Sequence, residues 1–453
     1  MTEKTVGVQR LDPKRNGYGT DFAAFEKTAT APAWVHELRR RGFERFTQVG
    51  FPNVHQEEWK YTDVSAIASQ SYHLAPPARV TRAQVDALVK TFGPRIVFVN
   101  GRHAAELSDA HILPKGVELA SLDAAFKRDP AALESHLGQL AQVDSNPFTA
   151  LNTAFLADGA LLRVAPHTVL KEPLQIVFVT VATADPTANH PRTLILAGEA
   201  SEFALVETYA TLGHGPTLTN AVTELIAGPS AHVEHYKLQL QADNAHHVAT
   251  LEVREGRDAH VTDHAYDLGG RLVRNDVNVR FAAPGAETTL NGLYLLKGDQ
   301  HVDNHTSIDH AVPQCASREF YKGILDGRSR GVFYGKVFIR KDAQKSNAAQ
   351  TNKNLILSEG ALVDSTPALE INADDVKASH GSTIGQLDRD ALFYLRSRGI
   401  GADTAKSLLT YAFARDVVDR VRHEGLKAHL DALLLARLPY GDKVREVLHE
   451  IQT

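Results

Sequence analysis

A period of 27 to 31 residues runs through the second half of the chain and constrains its fold more than any other feature. Short β-rich segments such as "ASEFALVETY", "AHVEHYKLQL" and "AETTLNGLYL" begin at Ala200, Ala231, Ala259, Ala286, Ala316, Ala343 and Ala373, at spacings of 31, 28, 27, 30, 27 and 30 residues. A second set of strands recurs near residues 222, 249, 277, 306, 335 and 362. Gly, Asn, Asp and Pro punctuate the runs, and no helical period interrupts them. A fixed interval of this size is the mark of stacked coils, none of which can bury its apolar face alone. The reading is a mainly β fold, a β-solenoid of seven or so coils. The alternative is an antiparallel sandwich or barrel with evenly spaced hairpins.

The rest of the chain divides around this core. Residues 1–155 read as a mostly helical α/β region, with helix expected over 21–47, a break at Pro52 and a short strand at "RIVFVN". The solenoid is expected over 156–385. Residues 386–453 read as a helical domain. Asp388 is placed to cap a first helix and Asp403 a second, whose apolar stripe is Ala405, Leu408, Leu409, Ala412, Phe413, Val417 and Val421. The following run, "LKAHLDALLLARL", is richer in apolar residues than one small face requires, which suits either packing on its neighbours or a partner surface.

Hydrophobic content of 43% and charged content of 23% are those of a soluble globular protein. A net charge of −5 argues against a general nucleic-acid binder. "MTEKTVGVQRLDPKR" has no apolar core, and the longest apolar run, "LQIVFVTVA", is too short to span a bilayer, so a cytoplasmic location is expected. Cys315 is the only cysteine. A disulfide within the chain is impossible, and so is a full thiolate set for an iron–sulfur cluster. With 22 histidines, imidazole is the ligand the chain has in quantity.

Few motifs offer chemistry. "GVFYGKV" (331–337) has three residues between its glycines and Val337 after the lysine, which excludes a phosphate loop. In "HVDNHTSIDH", His301, Asp303 and His305 would share one face of a strand, a set that suits zinc or iron; a solvent-facing His/Asp ladder explains the same pattern. Cys315 is either a small buried hydrophobe or a reactive thiol. His380, in "ADDVKASHGSTIG", is either a polar side chain on an ordinary turn or a ligand at the junction of two domains.

"SREFYKGIL", "TNKNLILSEGALVDSTPALEINADDVKASHGSTIGQLDRDALFYLRSRGI", "LLTYAFARDVV" and, near the N-terminus, "EEWKYTDVS" resemble the SufB/SufD family of the SUF iron–sulfur cluster assembly complex, on its SufD side. The resemblance implies a right-handed parallel β-helix between helical regions, pairing with a SufB-like paralogue through the β-helix, and binding of a SufC-like ABC-type ATPase by the C-terminal helices. Tyr394, Arg396, Arg398, Leu408, Leu409, Phe413 and Val417 are the candidates for the ATPase contact. It further implies a non-enzymatic scaffold on which a nascent cluster forms, a complex that can carry reduced flavin, and a place for His380 at the paralogue interface as a metal ligand shared with that chain. Leu395 stands where the sister subunit carries a functional cysteine, and Ala378 where some members have one. A chain without nucleotide site or thiolate set neither hydrolyses ATP nor holds a cluster alone, so an interfacial site suits it. The competing readings are a histidine-dependent metalloenzyme built on His301, Asp303 and His305, and a homodimeric β-helix module; an isolated chain could also pair with its own copy.

Overall fold

The computed structural model describes residues 18–109 and 113–452; the N-terminal stretch inspected for a targeting signal lies outside them. Two parallel sheets form the centre of the molecule, and each coil gives one strand to each sheet. From Arg192–Ala197 onward, strands adjacent in sequence therefore lie in different sheets and strands two apart are neighbours, while the short strand Thr187–Asn189 joins the first sheet beside Thr217–Ala227. Eight such pairs run from Gly159–Val164 with Leu174–Val181 to Leu362–Ile371 with Val376–Gly385. Every ladder between successive coils is parallel. That is the expected β-solenoid, one coil longer than the repeat count, and it sets aside the antiparallel alternative.

The repeat is held by backbone conformation more than by residue identity. Register aligns Ser201, Ala231, Ala259, Ala286, Cys315 and Ser346 just ahead of paired strand residues, and each is at most 1% exposed. The residue before each of them, Ala200, Ser230, Asp258, Gly285, Gln314 or Lys345, has φ between +51° and +81°. One left-handed residue turns the corner, and the next side chain is aimed into the interior, where only a small group fits. Of the sequence anchors, Ala231, Ala259 and Ala286 stand in this column, while Ala200 and Ala316 miss it by one residue and Ala343 and Ala373 by three, because an alanine is common and the left-handed corner carries no fixed side chain.

Apolar side chains between the sheets form the main core, including Leu205, Val233, Val261, Leu290, Phe333 and Val337. The outer face of the first sheet is covered by the N-terminal region, with Phe46, Trp59 and Phe148 on Leu218, Val248 and Leu272. The expected helix over 21–47 is two helices, Tyr18–Thr28 and Ala33–Val49, with Pro32 at the start of the second. The N-terminal region also closes one end of the solenoid: Arg95–Val99 pairs with Leu174–Val181, and Val117–Ser121 with Gly159–Val164.

C-terminal helices Ala402–Val418 and Glu424–Arg437 lie on the outer face of the second sheet, where Ala414, Val417, Val418, Leu426, Leu430 and Leu434 meet Tyr236, Leu238, Tyr266, Leu293 and Ile324. Asp388 caps Arg389–Ser397 through the Asp390 and Ala391 amides. The next helix begins after Gly401, with Asp403 inside its first turn rather than at its cap. Among the described residues no helix is long and apolar enough to cross a membrane.

Candidate functional site: the open end of the solenoid

The two ends of the solenoid differ. At the C-terminal end, Leu362–Ile371 and Val376–Gly385 are the outermost strands of their sheets. Each is ten residues long and among the described residues has a ladder on one side only, so a row of backbone donors and acceptors faces outward from each. Leu362, Ile371 and Ile384 are exposed there. Long unpaired strand edges of this kind are templates for pairing. Ile384 is 52% exposed, whereas Tyr294, which occupies the same row three coils earlier, is fully buried.

His380 lies on this end. Its strand continues the alternation of Ser346, Ala348, Gln350, Asn352 and Asn354, which point into the solenoid, so Val376, Ala378, His380, Ser382 and Ile384 form the interior-facing row of the last coil. The row through His380 descends to Gln350, Glu319, Leu290, Asp263 and His235. His380 is therefore neither on a turn nor on the outer wall. It is the top residue of an internal column, exposed because no further coil covers it.

That column is unusually polar. His235 sits between Asp263 Oδ1 at 2.6 Å and Glu207 Oε2 at 2.9 Å, all three buried. Burial disfavours the imidazolium, but the two carboxylates outweigh it and raise His235 to about 9. Tyr209 and Thr193 hydroxyls donate to Glu207 Oε1 at 2.9 Å each. Higher up, burial pushes the Glu319 carboxyl up to about 7, and it accepts a hydrogen bond from Gln350 Nε2. A parallel hydrogen-bonded file reaches the same mouth: Ser382 Oγ donates to Ser365 Oγ at 2.8 Å, Ser365 Oγ to Asn352 Oδ1 at 2.8 Å, and Asn352 Nδ2 to the Tyr294 hydroxyl at 3.2 Å.

His301, Asp303 and His305 do share one face, on the outside of the first sheet, but they serve another purpose. Asp303 is bound by Arg274 Nη1 at 2.6 Å and by the Thr62 hydroxyl. His301 Nε2 lies 2.9 Å from Thr62 Oγ1, and His305 Nε2 lies 3.1 Å from Asp303 Oδ1. Despite burial, Arg274 and His305 hold Asp303 well below the usual carboxylate range. Arg274 also donates to the Glu58 carbonyl at 2.8 Å and lies 4.2 Å from the Trp59 ring centre. The run is the docking site for the "EEWKYTD" segment, with a guanidinium where a metal would sit. Among the described residues no group of three or more His, Cys, Asp or Glu side chains is arranged for a metal ion. Arg274, which sequence reasoning missed, organises this site; it stands in register with Asp303, a pairing that period-based reading does reach.

Cys315 occupies the small-residue corner column, 1% exposed, and burial pushes its thiol up to about 11. Tyr394, Arg396 and Arg398 are exposed on helix Arg389–Ser397 and the turn after it, beside the exposed Phe393. Leu395 is half-buried. Leu408, Leu409 and Phe413 are half-buried, whereas Val417 is fully covered by the chain's own second sheet. The helical stripe read from sequence thus splits into an inward part and a flank.

Comparison with known proteins adds the following. Residues 178–413 match the model for the SufBD core domain of the SUF system of iron–sulfur cluster assembly, and residues 18–176 match the SufBD N-terminal region. An iron–sulfur cluster assembly SufBD family protein of Synechocystis sp. is 32% identical over 84% of this chain and 86% of its own length. The iron–sulfur cluster assembly protein SufD of Escherichia coli is 29% identical over 90% of this chain and 96% of its own. SufD of Bacillus subtilis is 26% identical over 91% and 95%.

Proposed function

The chain belongs to the SufBD family of the SUF iron–sulfur cluster assembly system, and we propose that within it this chain is a non-enzymatic scaffold subunit that pairs through the open end of its solenoid with a SufB-like paralogue. The observation that carries the reading is the uncovered last coil, with His380 at the centre of its interior-facing row. A paralogous solenoid set end-on would satisfy the unpaired edges of both sheets and cover Leu362, Ile371 and Ile384. It would also place His380 inside a closed compartment, next to side chains of the other chain. Neutral imidazole is a competent iron ligand. The chain's one thiol is buried in a coil corner, so thiolate ligands for the nascent cluster come from the partner.

The exposed Phe393, Tyr394, Arg396 and Arg398 suit the SufC-like ATPase. Helices Ala402–Val418 and Glu424–Arg437 rest on the second sheet over a wide apolar contact. A displacement imposed on the short helix by nucleotide-driven closure is then passed to the sheet whose edge carries His380.

Ile384→Asp and Leu362→Asp test the interface. Both side chains are exposed in the isolated chain, so the variants fold, but a carboxylate at a covered edge has no partner. Co-purification of the paralogue is expected to fall at least tenfold, and any homodimer of the isolated chain to become monomer. Undiminished paralogue binding would place the interface elsewhere.

A further inference from the structure

The amide of Gln350 is committed on one side and idle on the other. Gln350 is 2% exposed and its Nε2 donates to Glu319, itself 3% exposed. Gln350 Oε1 is buried without a hydrogen-bond partner, which is costly for an acceptor shut away from water. The residue above Gln350 in the same interior row is His380, its direct register partner on the last strand. His380 as placed does not donate to this oxygen, but neighbouring strands lie about 4.8 Å apart, a gap that a turn of the exposed His380 ring bridges with one N–H. The adjacent hydroxyls do not compete, because Ser382 and Ser365 already donate along their own file.

We propose that Gln350, held by Glu319, accepts a hydrogen bond from one ring N–H of His380, and so fixes the tautomer that turns the other, unprotonated nitrogen out of the open end toward the partner chain. The proposal rests on the reading of His380 as the ligand of a shared site. It makes Gln350 a positioning residue and Glu319 its anchor. A histidine that binds iron through one nitrogen is oriented and made more basic by an acceptor on the other. Here that acceptor is built into the solenoid one coil below. Glu319 supplies the acceptor that holds Gln350 Nε2 on its own side of the amide.

The test is the tautomeric state of His380, read from ring-nitrogen chemical shifts in full-length protein labelled at histidine, with the resonance identified by its loss in His380→Asn. One predominant tautomer is expected in the wild type. Gln350→Leu is expected to give a mixture, and Glu319→Gln, which preserves an acceptor for the amide, to leave the tautomer unchanged. A tautomer mixture in the wild type would overturn the proposal without recourse to any variant, and so would an unaltered tautomer in a folded Gln350→Leu. In the reconstituted complex, Gln350→Leu is expected to weaken iron retention by roughly tenfold or more. If the wild-type tautomer is fixed but His380→Ala assembles clusters normally, the positioning stands and the scaffold reading of His380 fails.

Discussion

At the scale of single residues, the solenoid interior holds groups that long-range sequence patterns do not mark as special. Cys315 stands in the corner column with Ala231, Ala259 and Ala286, and its thiol is pushed up to about 11 by burial. Alkylation of the native protein at pH 8 is therefore expected to be slow and to become complete only on unfolding. Cys315→Ala is expected to cost about 1 kcal/mol; rapid labelling of the folded chain would contradict this placement. His235 behaves differently. Its folded value of about 9 lies above the ordinary imidazole value, so the stabilisation it gives is complete below pH about 6.5 and is lost as pH rises through about 9. Glu207, held below its ordinary value by His235 against the effect of burial, works in the opposite sense, and its contribution is lost on acidification. A decline in thermal midpoint between pH 7 and 9 is expected in the wild type. His235→Leu, which leaves Glu207 and Asp263 buried and unpaired, is expected to lose roughly 3–5 kcal/mol, measured by denaturant unfolding. A midpoint unchanged from pH 7 to 9 would count against a protonated His235.

At the scale of elements, what was legible was the period, and what was not was the partner of each outward face. The 27- to 31-residue interval, the stop of the β pattern at Gly385 and the cap at Asp388 follow from local rules of turns and caps, and the structure has all three. The role of His301, Asp303 and His305 depends on a segment more than 230 residues earlier in the chain, and no periodicity connects the two. The inward face of helix Ala402–Val418 departs from the apolar stripe in the sequence for a related reason. Ser407, Thr410 and Tyr411 are buried with Ala414 and Val417, because the helix is wedged between a sheet and the three other C-terminal helices rather than laid on one surface. His380 could be named from sequence, yet its inward orientation needs the register. The docking of the N-terminal segment yields a prediction at this scale. Arg274→Ala leaves Asp276 and Asp303 without their guanidinium and removes the cation under Trp59. Faster proteolysis within residues 57–65 and a red shift of tryptophan emission are expected, with the solenoid itself retained. Unchanged cleavage there would mean that apolar contacts alone hold the segment.

At the scale of the whole molecule, the fold is asymmetric by construction. One end of the solenoid is closed by strands from the N-terminal region, both outer faces carry helical layers, and among the described residues the other end has neither. A parallel solenoid can be stopped by a cap or continued by another chain, and among the described residues nothing caps this end. The open end gathers exposed apolar residues, a hydrogen-bonded polar file and the one histidine of the last coil, which is why we propose the cluster-assembly role there and not on the outer wall. Iron and acid-labile sulfide content of the complex purified after co-expression with the SufB-like and SufC-like subunits, compared between wild type and His380→Ala, tests this assignment most directly. The account predicts that the variant forms the complex in normal yield but carries several-fold less iron and sulfide; a His380→Ala complex with wild-type iron and sulfide would contradict it.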